Sequence, residues 1–201
     1  MTPSQPFVEG AFYHIYNRGN NKENIFEAEG NYNHFLKLWT KYIEPIAETY
    51  CYVLLKNHFH ALIRIREDLG LSQKPSDISI MPKAEQAFAN FFNAYAKSYN
   101  NSKNRTGKLF ALPFKRKLVL SLGYIAELVF YIHANPQKHG FTNDFRRYPH
   151  SSYHSFLSEK PTKLMRTEII KLFGGLDNFI QYHEEKANVL KPLEHDLEGD
   201  D

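Results

Sequence analysis

Lys56-Asn57-His58-Phe59-His60-Ala61-Leu62-Ile63-Arg64-Ile65 decides how this chain reads. A β-branched, apolar run of this length behind a polar pair predicts a strand entered from a turn. Side chains on a strand alternate faces with period two. His58, His60, Leu62 and Arg64 therefore share one face, and Phe59, Ala61, Ile63 and Ile65 share the other. The second face suits a core. The first presents two imidazoles side by side on a rigid support, which suits a divalent metal.

Working outward, Thr49–Leu55 reads as a strand joined to the first through Lys56-Asn57, a hairpin. Phe12–Asn17 is a further strand ending at Arg18-Gly19-Asn20, a turn signal. Residues 31–42 carry Tyr32, Phe35, Leu36 and Trp39 at helical spacing, and residues 84–99 carry Phe88, Phe91, Phe92, Tyr95 and Tyr99 likewise. These stripes predict two core-facing helices. Residues 68–82 read as a loop. The basic stretch 109–120 predicts an extended segment ending in a fourth strand. Ser121 predicts the cap of a third helix with Leu122, Ile125, Val129 and Ile132 as its core stripe. Asn135-Pro136 is expected to stop that helix near Ala134. Two short helices are expected at 166–173 and 177–186, split by Gly174-Gly175. This βαββαβα order predicts an α+β fold, an antiparallel β-sheet with helices packed on one face. The expected division is a flexible lead at 1–10, a main domain at 11–158, a small helical region at 159–188 and an acidic flexible tail at 189–201.

Charge is unevenly distributed. Nine Lys or Arg fall between Lys103 and Arg147 against Glu127 and Asp144, whereas residues 184–201 hold seven acids against Lys186 and Lys191. A basic body suggests a polyanionic partner, and an acidic end suggests a solvated terminus. Lys103–Lys117 is a candidate phosphate track with Phe110 and Phe114 interleaved to stack on bases. Arg18, Lys138, Arg146 and Arg147 are candidates to extend it. Cys51 is the only cysteine, so no intrachain disulfide forms and a cytoplasmic location is expected. No apolar run approaches the ~20 residues that span a bilayer, so no membrane partner is expected.

Two imidazoles leave a metal under-coordinated. Tyr131 and Asn135 are four apart on the third helix and share a face. The Asn135 carbonyl can complete a site for a hard divalent cation, with two His ligands favouring Mn²⁺ over strict Mg²⁺. His133 and His139 read as DNA-facing or structural groups. Tyr124, two turns before Tyr131, is the other nucleophile candidate, without an Asn four residues on.

His58-Phe59-His60, followed by Tyr131-Ile132-His133-Ala134-Asn135-Pro136-Gln137-Lys138-His139-Gly140, resembles the single-tyrosine HUH transposases. Within them the resemblance is to the REP-associated tyrosine transposase group. It extends to Tyr13-His14-Ile15-Tyr16-Asn17-Arg18-Gly19, Gly107-Lys108-Leu109-Phe110 with Phe114-Lys115, and Ser151-Ser152-Tyr153. It spans about residues 12–156. The chain departs from the family pattern at Leu55-Lys56, where an apolar pair is usual, and at Asn135, where better-known relatives carry Gln.

The resemblance implies a ferredoxin-like or RRM-like HUH fold and a metal-dependent transesterase acting on single-stranded or hairpin DNA. Tyr131 would be the nucleophile of a 5′-phosphotyrosine intermediate. His58, His60 and Asn135 would hold a divalent metal, Mg or Mn. Arg18, Lys56, Lys103, Arg105, Lys108, Lys115, Arg116, Lys117 and Lys138 would contact DNA. No ATP is required, in keeping with a sequence that has no Gly-x-x-x-x-Gly-Lys-Ser/Thr loop. Three alternatives remain open on the sequence: a non-catalytic nucleic-acid-binding module, a water-using phosphodiesterase and a domesticated transposase relative. A homodimer, with the tyrosine acting in cis or in trans, is equally open.

Overall fold

The structure is a computed structural model that describes residues 6–67 and 83–190. The loop expected at 68–82 and residues 191–201 of the expected acidic tail lie outside the described residues. The chain runs β1 (Phe12–Arg18), α1 (Glu29–Tyr42), β2 (Ala47–Leu55), β3 (His58–Ile65), α2 (Lys83–Ser102), β4 (Lys115–Val119), α3 (Leu122–Lys138), α4 (Tyr153–Phe156), α5 (Arg166–Leu172) and α6 (Leu176–Asn188). The four strands form one antiparallel sheet in the order β2-β3-β1-β4.

The β2–β3 hairpin turns on Lys56-Asn57 and pairs Leu55 with His58. Its tip is held from outside: the Lys56 carbonyl accepts from Ile25 N and Phe26 N, and the Asn57 carbonyl accepts from Gly19 N at 2.7 Å. Gly19 must be glycine, since a Cβ there would lie 2.0 Å from the Glu23 carbonyl oxygen. This crossing fixes the ends of β1 and β3 against each other, and with them Arg18 and His58.

Alternation sorts the strands onto two cores rather than one. Tyr13, Ile15, Phe59, Ala61, Ile63 and Ile65 pack beneath α1 and α2, against Phe35, Trp39, Phe88, Phe91 and Tyr95. Cys51, Val53, Leu55 and Leu62 pack on the opposite face against Ile125, Leu128, Val129 and Ile132 of α3, with Phe156, Ile169 and Phe179 beyond them. Helices therefore cover both faces, correcting the one-sided arrangement expected from sequence. The reason is β2, which buries side chains of both parities and so needs cover on both sides. The 159–188 region contributes Ile169 and Phe179 to the second core. Of the lead expected to be flexible over 1–10, the described residues 6–10 include Phe7, which is buried and stacks on Phe88 with ring centroids 5.2 Å apart.

Ser121 caps α3 as expected, its Oγ accepting from Tyr124 N at 3.3 Å. The helix does not stop at Asn135-Pro136 but continues to Lys138. Pro136 sits in the last turn, where one missing donor is the main loss. The stop lies at Gly140, at φ +71°, where Phe141 N donates to the Pro136 carbonyl at 2.8 Å. This extra turn carries His139 and Lys138 onto the same side as Tyr131 and Asn135.

Candidate active site

The β1–β3 register sets Tyr16 opposite His60 and His14 opposite Leu62. His14, Tyr16, His58 and His60 therefore lie on the face covered by α3. Tyr131 stands over this group, its ring centroid 5.7 Å from that of His60 and 5.9 Å from that of His14. One helical turn on, Asn135 is fully buried with Oδ1 3.2 Å from His58 Nε2. Two sequence-distant segments, β3 and α3, thus meet at the four residues singled out by the sequence.

Burial holds the imidazoles neutral. His58 is pushed down to about 4, chiefly by burial and then by the His139 ring beside it; the Asn135 carboxamide beside Nε2 opposes the shift. His14 is pushed down to about 3 by burial and by Lys117, and fully buried His60 lies well below the usual histidine range. Neutral imidazole is the ligating form.

His58 Nδ1 lies 2.7 Å from Asn57 Oδ1, which can only accept, so Nδ1 carries the proton. His58 Nε2 then presents a lone pair to Asn135 Oδ1, itself a lone-pair donor. Asn135 Nδ2 is buried with no hydrogen-bond partner among the described residues. A His58 Nε2 lone pair and the Asn135 carboxamide oxygen, 3.2 Å apart, are a donor pair that one cation can share, so the chemistry fits a divalent metal. No group of three or more His, Cys, Asp or Glu side chains suited to a metal occurs among the described residues. The third donor next to His58 and His60 would thus be the Asn135 amide oxygen. His14 Nε2 and His60 Nδ1 are 2.9 Å apart, a hydrogen bond that fixes the His60 ring.

Strand alternation divides the expected DNA contacts. Lys115 and Lys117 of β4 pair with Tyr16 and His14 and share their face. Lys117 Nζ lies 5.8 Å from the Tyr16 ring centroid. Lys138 Nζ lies 4.5 Å from the Tyr131 ring centroid, and burial lowers the Lys138 ammonium from its ordinary value. The Arg18 charge is felt at His58. Lys56 is exposed in the turn just before His58.

Other basic residues lie elsewhere. Arg116 faces the opposite core, its side chain 6% exposed, paired with Glu85 at 3.1 Å and 4.2 Å from the Phe7 ring centroid. That corrects its expected DNA contact: a run of three charges on a strand cannot keep all three on one face. Lys103 pairs with Glu27, and Arg105 pairs with Glu23 and donates to Asn100 Oδ1 and the Lys108 carbonyl. They tie the loop after α2 to the loop after β1, and Lys108 is exposed beside them. Phe110 and Phe114 are not base platforms. Phe110 is buried against Phe92, and Phe114 stacks on Phe88.

The sequence reading missed His14 and placed His139 outside the site. The His139 ring centroid is 4.8 Å from that of His58. The 135/139 spacing signals this, but only for a helix that passes Pro136. His133 is a buried structural residue, bonded to His183 and Ser152. Away from this site, a cavity of about 290 Å³ lies between α1 and β2, where its charged lining residues Glu44 and Lys163 pair with each other at 2.8 Å.

Among the described residues no helix is long and apolar enough to cross a membrane. No family model matches the sequence, and no curated protein matches it. A solved structure of a REP-associated tyrosine transposase bound to a REP hairpin is similar at a TM-score of 0.57 and 16% identity. The match covers 80% of this chain and 89% of that one. At that identity the likeness is one of fold: this chain has the four-stranded α+β fold of a tyrosine transposase.

Proposed function

We propose that this chain is a DNA strand transferase that cleaves and rejoins hairpin-associated single-stranded DNA through Tyr131. The observation that supports it best is the meeting of Tyr131 and Asn135 on α3 with His58 and His60 on β3, on a fold shared with a hairpin-bound tyrosine transposase.

Tyr131 Oη attacks the scissile phosphorus, and the P–O3′ bond breaks. A 5′-phosphotyrosine forms and a 3′-OH is released. The phenolic proton passes to solvent, and the departing 3′ oxygen takes one up. One phosphodiester replaces another, so attack by a 3′-OH on the phosphotyrosine restores the DNA without an external energy source. A free tyrosine, with pKa ~10, is a weak nucleophile at neutral pH. The Lys138 ammonium, 4.5 Å from the Tyr131 ring centroid, would offset the negative charge that develops at the site during attack. His58, His60 and Asn135 would hold a divalent metal, Mg or Mn, which would polarise the scissile phosphate. His14 would orient His60. Lys117, Lys115, Arg18 and Lys56 would steady the phosphates near the site.

The test is a protein–DNA adduct that survives denaturation, sought with Mn²⁺ or Mg²⁺ and labelled hairpin oligonucleotides carrying single-stranded flanks. Adduct formation in metal and its loss on chelation are expected. Cleavage without an adduct would indicate water as the nucleophile. Binding with neither would indicate a binding module.

The two faces of β4 give a separate expectation. Lys117→Gln lowers the salt dependence of hairpin binding by a slope of about 0.7–0.9, the loss of one phosphate contact. Arg116→Gln leaves that slope unchanged and instead costs about 3 kcal/mol of stability, because Glu85 loses its buried partner. Salt titrations of affinity and urea unfolding separate the two; equal effects of both variants on the slope would refute the assignment.

A further inference from the structure

α6 brings aromatic and basic groups to the Tyr131 side of α3. Tyr124, Glu127, Tyr131 and Lys138 of α3 and Tyr182 and Lys186 of α6 line a groove of about 290 Å³. The α3 residues fall at spacings of three, four and seven, hence on one helical face. Tyr182 and Lys186 are four apart, with Lys186 Nζ 5.5 Å from the Tyr182 ring centroid. Tyr124 is 50% exposed, more than a core tyrosine would be. The groove holds two ammonium groups and one carboxylate, and it opens on the proposed nucleophile. Whatever lies in it is therefore continuous with the reacting phosphate.

We propose that this groove seats the single-stranded DNA adjoining the scissile phosphate. A base lies against Tyr124 and Tyr182, and backbone phosphates lie at Lys138 and Lys186. Aromatic faces accept any base, so the groove holds the strand in place without reading its sequence. The Glu127 carboxylate disfavours a phosphate at its own position and can accept from a base amino group. α6 is then a substrate-holding element as well as a packing one. This inference rests on the DNA-transferase reading and adds a place for the strand and a role for the C-terminal helices.

The experiment measures binding of the full chain to a blunt hairpin and to the same hairpin with a single-stranded extension on either side. Wild type is expected to bind an extended hairpin more tightly. Tyr124→Ser and Lys186→Gln, both at solvent-accessible positions, should each remove about tenfold of that gain and leave the blunt hairpin unaffected. Lys186→Gln should also lower the salt slope on the extended DNA by about 0.7. A blunt hairpin bound as well as either extended one, or variants that keep the full gain, would overturn the groove and leave the transferase reading standing. Failure of wild type to bind any of these DNAs would overturn both. Thermal melting of each variant checks that it remains folded.

Discussion

Tyr131→Phe abolishes the denaturation-resistant adduct and lowers strand cleavage by roughly 10⁴-fold or more, the scale on which loss of a covalent nucleophile acts. The substitution removes one oxygen. The ring keeps its place beside His60 and His14, and the Lys138 ammonium keeps an aromatic face beneath it. Hairpin affinity and thermal stability should therefore stay near wild type, which separates lost chemistry from lost structure. Tyr124→Phe is the matched control. It removes the same atom from the same helix face two turns away, and the adduct should persist. An adduct that survives in Tyr131→Phe but not in Tyr124→Phe would move the nucleophile to Tyr124. Cleavage that survives in both, without an adduct, would mean that water attacks.

Much of the site could be read from the chain because its parts obey short-range rules. The alternation at residues 58–65 placed both histidines on one face, and helical spacing placed Tyr131 and Asn135 on another. The Lys56-Asn57 turn and the Ser121 cap are equally local. What sequence missed depends on pairing at a distance. His14 joins the site only because β1 lies beside β3 in a register that puts Tyr16 opposite His60. Arg116 leaves the basic track only because β4 alternates over a covered face. Phe110 and Phe114 looked like base platforms in a basic segment, yet α2 offers them an aromatic core. The end of α3 was misplaced for a different reason. Pro136 disfavours continuation, but in the last turn that penalty is offset by the closing bonds at Gly140, where Phe141 N donates to the Pro136 carbonyl.

His133→Ala destabilises the protein by about 3 kcal/mol near neutral pH, through a cavity and two orphaned polar groups. His133 is fully buried on α3, facing away from the candidate site. Its partners fix every proton. His183 Nδ1 donates to the Phe179 carbonyl at 2.8 Å, so His183 Nε2 accepts from His133 Nδ1 at 3.0 Å. His133 Nε2 then accepts from Ser152 Oγ at 2.9 Å, and that oxygen accepts from Tyr52 N. The chain of bonds ties α3 to α6 and to β2, and it requires both rings to be neutral. Burial holds His183 down to about 4 and His133 well below the usual range. In the unfolded chain both rings take a proton near pH ~6.5, whereas the fold refuses it. The stability is therefore complete above about 6.5 and falls as pH drops toward 4. His183 alone accounts for about 3 kcal/mol of that loss, and His133 adds to it in the same direction. Urea unfolding at pH 7.5, 6.5, 5.5 and 4.5 reads the slope directly. In His133→Ala the neutral-pH stability is lower and the acid slope shallower, because one ring that refused protons is gone. A wild-type curve that is flat between pH 7 and 5, or a variant within 0.5 kcal/mol of wild type (about the effect of an ordinary surface change), would remove the clamp that holds the Tyr131 helix to the sheet.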